Sequence, residues 1–480
     1  MTLEILMKGL FALIYSIMMA WVVIDRDPVG SVDSSRRRYL PYISGVLLPV
    51  CLVTVMVCLL ILSDAGTAAR MTFAFCFGVF LHICLYYLLL MPALPFLRRH
   101  ISARACAMLW MIPNYLYLTQ MSYMRLPAPR WVIEVPSALV WVLLVLWLAG
   151  FLAVLGWKIV SHLVFRARIL RDAAPVTDLA VLAVWRQEVE AARFKKPKFE
   201  LVTSPAVATP LSVGLFARAV RVVLPRREYT REELALLFRH ELVHIGREDA
   251  WDKFFLVFCT AMCWFNPLMW LAMRRSSEDL ELSCDETVLL DADSSVKRQY
   301  AGLLLKTAGD ERGFTTCLSA SAGALRYRLK SIVESREKRS GALAVGLTFF
   351  LLCMSCGYVT LAYGADTGAE RIYQSRPPEQ YALHSAFWDG GSFDGGPADP
   401  AALHRYLSTM PMERIAGNYS FDDGGRSLTL VFNAPEGFLS VTLSDRFIEI
   451  LPLGRGPAEY CYLPDGTDWD TLDRSVFGGA

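Results

Sequence analysis

Residues 3–24 form a run in which only Glu4 and Lys8 are charged. As a helix this run is long enough to cross the roughly 30 Å hydrocarbon layer of a bilayer. Similar runs recur at about 40–63, 72–97, 132–160 and 341–363, with a weaker one at 105–123 interrupted by Pro113-Asn114. A chain built this way cannot close around one water-soluble core. Its 54% hydrophobic share and mean hydropathy of +0.37 belong to an integral membrane protein. No small-residue cleavage site follows residue 24, so the first run reads as an anchor.

Basic clusters orient the spans, because Arg and Lys accumulate on the cytoplasmic side. Arg36-Arg37-Arg38, Arg98-Arg99 and the set Arg166, Arg168 and Arg171 are three such clusters. If all lie inside, an even number of crossings separates each pair, and residues 105–123 must cross. The expectation is five spans within residues 1–164 and an outside N-terminus. A cytoplasmic domain at 165–339, a last transmembrane helix at 340–363 and an extracytoplasmic domain at 364–480 follow. The lipid bilayer of the plasma membrane is then the first partner. His82 lies in the third span, where pairing with a backbone carbonyl is at least as good a reading as function.

The soluble segment carries the chemistry. His240-Glu241-Leu242-Val243-His244 puts two imidazoles one turn apart on one helix face, so that both reach one metal ion. Glu241 projects beside them, where a carboxylate can take a proton from water. Thr230-Arg231-Glu232-Glu233 predicts a capped start to this helix, followed by apolar Leu234, Leu237 and Phe238. A zinc site needs a third protein ligand and an open position. The acidic stretch 276–286 offers it: Glu281 and Asp285 are i, i+4, so one can bind metal while the other supports a ligand histidine. Spacing alone leaves Glu278 as a rival. Between the two helices, residues 254–273 are nearly all apolar. The run is expected to turn back at Asn266-Pro267, because a crossing would put His240 and Glu281 on opposite sides of the membrane.

The motif His240–His244, then Trp264-Phe265-Asn266-Pro267-Leu268-Met269-Trp270, then Glu281-Leu282-Ser283-Cys284-Asp285 resembles the membrane metallopeptidases typified by the BlaR/MecR β-lactam sensor-transducers. The resemblance covers roughly residues 1–363. It implies a multi-span α-helical membrane protein with an inserted α+β, gluzincin-like HExxH zinc-metallopeptidase domain. It implies one Zn²⁺ per chain on His240, His244 and Glu281, with Glu241 as general base and Asp285 as an orienting carboxylate, and it favours Glu281 over Glu278. The implied activity is that of a zinc-dependent metalloendopeptidase in signal transduction by regulated proteolysis. As an antirepressor it would cut a cytoplasmic repressor-type protein, itself, or both, in response to an external ligand. Tyr300 and Arg326 are candidate oxyanion donors. No direct nucleic-acid binding is expected, and a homodimer stays open. A membrane-protein processing or quality-control protease is one alternative; a non-catalytic receptor with structural zinc is another, though it would not need Glu241.

Elsewhere in 165–339, Asp178 to Arg193 reads as an amphipathic helix, and Phe199–Val202 and Val220–Leu224 as strands. Pro210 to Phe216 resembles the strand that borders the cleft in HExxH peptidases, where substrate backbone can add to a sheet edge; an ordinary strand or turn is the alternative. The basic run from Arg326 to Arg339 reads as a topology signal, with a recognition or self-cleavage segment as the second reading. Beyond residue 363 there is no lysine, and 17 Asp plus Glu stand against 8 Arg. Leu428–Phe432 and Leu439–Leu443 read as strands of a small β-rich putative sensor unit. That unit lacks a Ser-x-x-Lys, so β-lactam acylation is not carried over with the resemblance. The twelve cysteines, several inside apolar runs, read as packing residues and not as a disulfide framework.

Overall fold

The computed structural model describes residues 3–478 except 25–49, scattered positions in 52–64, and 120–125, 193, 195–198, 216–219, 291, 309–321, 334–337, 389–390, 416, 418, 421–424 and 454–457. The expected span at 40–63 and the arginines at 36–38 fall largely or wholly outside the described residues. Helices α1 (Leu3–Ile24), α2 (Ala65–His100) and α5 (Ser137–Arg171) each contain a stretch long and apolar enough to cross a membrane. Leu10, Ile17, Leu85, Leu89, Val145 and Leu152 are exposed on them, an apolar surface suited to lipid.

Residues 103–119 are helical but differ from those spans. They form α3 (Ala103–Met111), a 3₁₀ turn (Ile112–Tyr115) and α4 (Leu116–Thr119), and nearly every side chain up to Tyr117 is buried. Pro113 has no N–H to give Leu109 O; the Tyr86 hydroxyl donates to that carbonyl instead, at 2.7 Å. Tyr87 does the same for Trp110 O at 2.8 Å. This kinked rod starts beside Arg339, where Ser102 N–H donates to Arg339 O at 3.0 Å. From its other end the chain goes on to two strands, β1 (Leu126–Pro127) and β2 (Trp131–Val135).

Two expected spans have other bounds than their hydropathy suggests. The run at 132–160 begins as β2, whose β-branched residues precede Pro136; the helix starts only after this proline, which disfavours helix in the residue before it. The helix then continues to Arg171, past the expected boundary at 164. The run at 341–363 is helical only over α12 (Ala342–Ser355), about 21 Å at 1.5 Å per residue. Gly357 at φ 91° ends it, and Val359–Thr367 becomes strand β7. Lys8 Nζ donates to Cys356 O at 2.6 Å and to Met354 O at 3.2 Å. His82 meets Gly78 O and Ser355 O. The last carbonyls of α12 are thus satisfied from α1 and α2.

The middle of the chain is an α/β unit. Strands β3 (Ala174–Pro175), β4 (Glu200–Ser204), β5 (Leu211–Val213) and β6 (Arg221–Pro225) form a sheet in the order β3-β4-β6-β5, with β4 and β6 parallel and β5 an antiparallel edge. Helix α6 (Leu179–Ala191), capped by Asp178, and α7 (Arg231–Arg247) pack on it through Trp185, Leu224, Leu234 and Phe238. The apolar run that follows folds back as expected. Helix α8 (Asp249–Met262) ends before the turn, and Asn266 Oδ1 caps α9 (Pro267–Val288). Phe255, Phe258, Met262 and Met269 join the core of the membrane helices. Helices α10 (Ser294–Ala308) and α11 (Ala322–Val333) complete the unit.

At this turn Gly150 of α5 lies so close to Trp264 that an added Cβ would sit 2.1 Å from the indole. Gly150→Ala is expected to cost about 1–3 kcal/mol through overpacking. The midpoint of thermal unfolding in detergent should fall; an unchanged midpoint would mean that the indole swings aside freely.

The C-terminal region is built on a nine-stranded sheet, β2-β7-β10-β15-β14-β13-β12-β8-β9. Its later strands are β8 (Ala382–Trp388), β9 (Gly391–Asp394), β10 (Pro411–Ile415), β12 (Leu428–Ala434), β13 (Gly437–Leu443), β14 (Phe447–Leu453) and β15 (Glu459–Tyr462). The two expected strands pair antiparallel as β12 and β13. The sheet is wider than residues 364–480 alone would make it. Strand β2, from between α4 and α5, pairs in parallel with β7, Trp131 opposite Val359 through Val135 opposite Tyr363. Strand β1 pairs with β11 (Tyr419–Ser420).

Candidate metal centre

Helix α7 opens as its sequence predicts. Thr230 Oγ1 accepts from Glu233 N–H at 3.2 Å, and Glu233 Oε2 accepts from Thr230 N–H at 2.9 Å. About three and four turns on, His240 and His244 face α9. Their Nε2 atoms lie 3.2 Å apart, and Glu281 Oε2 is 3.5 Å from His240 Nε2 and 3.6 Å from His244 Nε2. Donor atoms about 2.0–2.2 Å from a tetrahedral ion stand about 3.3–3.6 Å from one another. The triangle matches that spacing, and two imidazoles with a carboxylate suit zinc. The residues present therefore fit the metal. Glu278 does not join them: its carboxylate is engaged by Arg274 and Arg275 on its own helix. Cys284 is another donor nearby, within 4.8 Å of both imidazoles. Its closest approach, 3.3 Å, is to His240 Nδ1, on the ring edge away from Glu281.

The groups behind the rings fix which nitrogen is free. His244 Nδ1 lies 2.6 Å from Asp249 Oδ2, so Nδ1–H donates to the carboxylate and Nε2 keeps its lone pair. His240 Nδ1 lies 2.9 Å from the Tyr300 hydroxyl, which donates to Asp285 Oδ1 at 2.7 Å. Arg328 then grips Asp285 with two prongs, Nε to Oδ2 at 2.7 Å and Nη2 to Oδ1 at 2.6 Å. Asp285 itself is 3.6 Å from His240 Nδ1. Its support of the imidazole passes through Tyr300, whose hydroxyl is pushed well up by burial and by Asp285 and so stays a donor. Tyr300 is 1% exposed and sits behind His240. Arg326 is exposed on α11, and Arg328 two residues later takes the inward position.

Charge is balanced at the centre. Burial disfavours an ionised Glu281, yet His244, Lys253 at 3.3 Å and hydrogen bonds from both imidazoles hold its carboxyl well below the usual range. Burial would lower His240, but Cys284 and Glu281 lift it to about 10. A divalent cation held by these donors would replace protons as the positive charge. Glu241, 6% exposed, follows His240 on the same helix.

Sequence reasoning did not single out Asp249, Arg328 or Lys253. Asp249 reaches His244 because Glu248 between them turns left-handed at φ 61°, closing α7 and opening α8. Asp249→Asn is expected to weaken zinc binding about 10–100-fold, since the amide can hold the ring in the wrong tautomer. Competition with a chromophoric chelator measures it, and wild-type affinity would mean that the ring does not depend on this bond.

The family model described as BlaR1 peptidase M56 matches residues 46–332. Regulatory protein BlaR1 of Bacillus licheniformis is 26% identical over 262 residues, which cover 52% of this chain and 42% of that protein. The alignment thus spans less than half of that relative.

Proposed function

The chain belongs to the BlaR1 peptidase M56 family, and from that premise we propose that it is a membrane-embedded zinc endopeptidase that relays an external signal by cutting a cytoplasmic protein. The observation that carries the reading is the triangle of His240 Nε2, His244 Nε2 and Glu281 Oε2, with sides of 3.2, 3.5 and 3.6 Å. Zinc held there supplies Lewis acidity and lowers the pKa of water toward ~7.

The chain's own residues do the rest. Glu241 accepts a proton from the attacking water and returns it to the leaving amine nitrogen. Asp249 and the pair Tyr300–Asp285 hold both imidazoles with their Nε2 atoms toward Glu281. The edge strand β5, next to α7 in the α/β unit, offers free backbone groups on which a substrate segment adds as one more strand. This unit is assigned to the cytoplasm and the nine-stranded sheet to the outside. The substrate is a repressor-type protein, the chain itself, or both.

A transducer is favoured over a housekeeping protease by the pairing of β2 with β7. The outer sheet thereby joins the membrane region at two places, more than a simple anchor requires. Comparison of new protein N-termini in membranes and cytosol of cells carrying the native chain or Glu241→Ala tests the proposal. Cytoplasmic cleavage products present only with the native chain support it; identical sets of termini contradict it.

A further inference from the structure

Helix α9 carries more carboxylates than the metal centre uses. Asp279, fully buried, accepts from Arg98 Nη2 at 2.8 Å and from Trp110 Nε1 at 2.7 Å. Arg98 lies in the last turn of α2, and its guanidinium also lies over the Tyr327 ring. Trp110 belongs to α3. Two turns after Asp279, Glu286 Oε2 accepts from Ala103 N–H at 2.9 Å, and its Oε1 pairs with Lys338 Nζ at 2.8 Å. Ala103 is the first residue of α3, and Lys338 stands just ahead of α12. Between these two anchors lie Glu281 and Asp285, which face α7 and the imidazoles.

The two elements that meet at Glu286 also share a destination. From α4 the chain continues to β1 and β2, and from α12 to β7, and β2 pairs with β7. One carboxylate therefore touches the near ends of two membrane elements whose far ends enter one sheet. It lies five residues from the metal-facing carboxylate on the same helix.

We propose that Glu286, backed by Asp279, is the positioning contact through which these membrane helices set the distance of Glu281 from His240 and His244. The outer sheet thereby controls the completeness of the metal site. This deepens the proposed function and rests on it. A shift of α3 or α12 along its axis moves α9 against α7, which packs on its own α/β unit through Trp185, Leu201, Val222 and Leu224 and meets α9 through Arg247 on Ser283 and Thr287. The imidazole pair then keeps its 3.2 Å spacing while Glu281 leaves it.

The test is zinc affinity of the full chain in detergent micelles, by chelator competition, for wild type, Glu286→Gln, Ile133→Pro and the double variant. Glu286 is 31% exposed as a side chain, and glutamine still accepts from Ala103 N–H, so folding is not at stake. Ile133→Pro loosens β2, an edge strand paired on one side only; Val135→Pro replaces it if that chain does not accumulate. Glu286→Gln is expected to weaken zinc binding about 10–100-fold. Its Co²⁺-loaded form should give the visible absorption spectrum of Glu281→Ala. Ile133→Pro should change zinc affinity at least about 5-fold in the wild-type background and not at all in Glu286→Gln, the sign of one shared path. Wild-type affinity in Glu286→Gln, or an Ile133→Pro effect that persists in full beside it, overturns the inference alone. A wild-type chain that holds no zinc overturns the proposed function and the inference together.

Discussion

Glu241→Gln in the full chain is expected to slow peptide-bond cleavage about 10²–10⁴-fold while zinc stays bound. The side chain is 6% exposed and follows a residue of the donor triangle. Glutamine keeps its volume and loses only its basicity. The proposed donors to zinc are His240, His244 and Glu281, so the metal content should not change. Single-turnover cleavage and elemental analysis on the same preparation separate the two effects. Lost cleavage with retained metal assigns the proton transfer to Glu241. Undiminished cleavage removes it from that role, and loss of the metal would make it a ligand or a structural support.

Arg328→Met is expected to destabilise the α/β unit by about 3–5 kcal/mol, the second large effect. Asp285 is 1% exposed, and both of its oxygens are engaged by this arginine at 2.6–2.7 Å. Removing one partner of a buried pair leaves the other charge without compensation in a poor solvent. The loss should propagate to His240, because Tyr300 bridges Asp285 to its Nδ1. Replacing both residues, Arg328→Met with Asp285→Asn, should recover part of the stability, since no unpaired charge remains. Denaturant titration in detergent measures both variants. A single variant as stable as wild type would mean that Asp285 finds another cation, with the His240 imidazole 3.6 Å away at Nδ1.

The local parts of the site were legible because their signals are local. The imidazole spacing and the Thr230–Glu233 cap each need only a few consecutive residues, and both stand in the structure as read. The turn at Asn266-Pro267 was legible for a related reason: asparagine caps a helix and proline opens it. Other features depend on contacts that no short window contains. Glu248 carries a positive φ without being glycine, so nothing in its identity announces that Asp249 will meet His244. Arg326 and Arg328 look alike in a basic run, and only the rotation of α11 against α9 decides which one turns inward. The strand at Trp131–Val135 was absorbed into an apolar run because its partner lies more than two hundred residues away, at Val359–Tyr363. Hydropathy cannot distinguish a span from a buried strand when both exclude water.

The central claim is that two imidazoles of α7 and one carboxylate of α9 hold a single zinc ion. X-ray absorption at the zinc edge of the purified full chain tests it most directly. The account predicts two imidazole nitrogens at about 2.0–2.1 Å, oxygen neighbours at about 2.0–2.2 Å and no sulfur in the coordination shell. A sulfur scatterer at about 2.3 Å would place Cys284 on the metal in place of Glu281 and contradict the assignment.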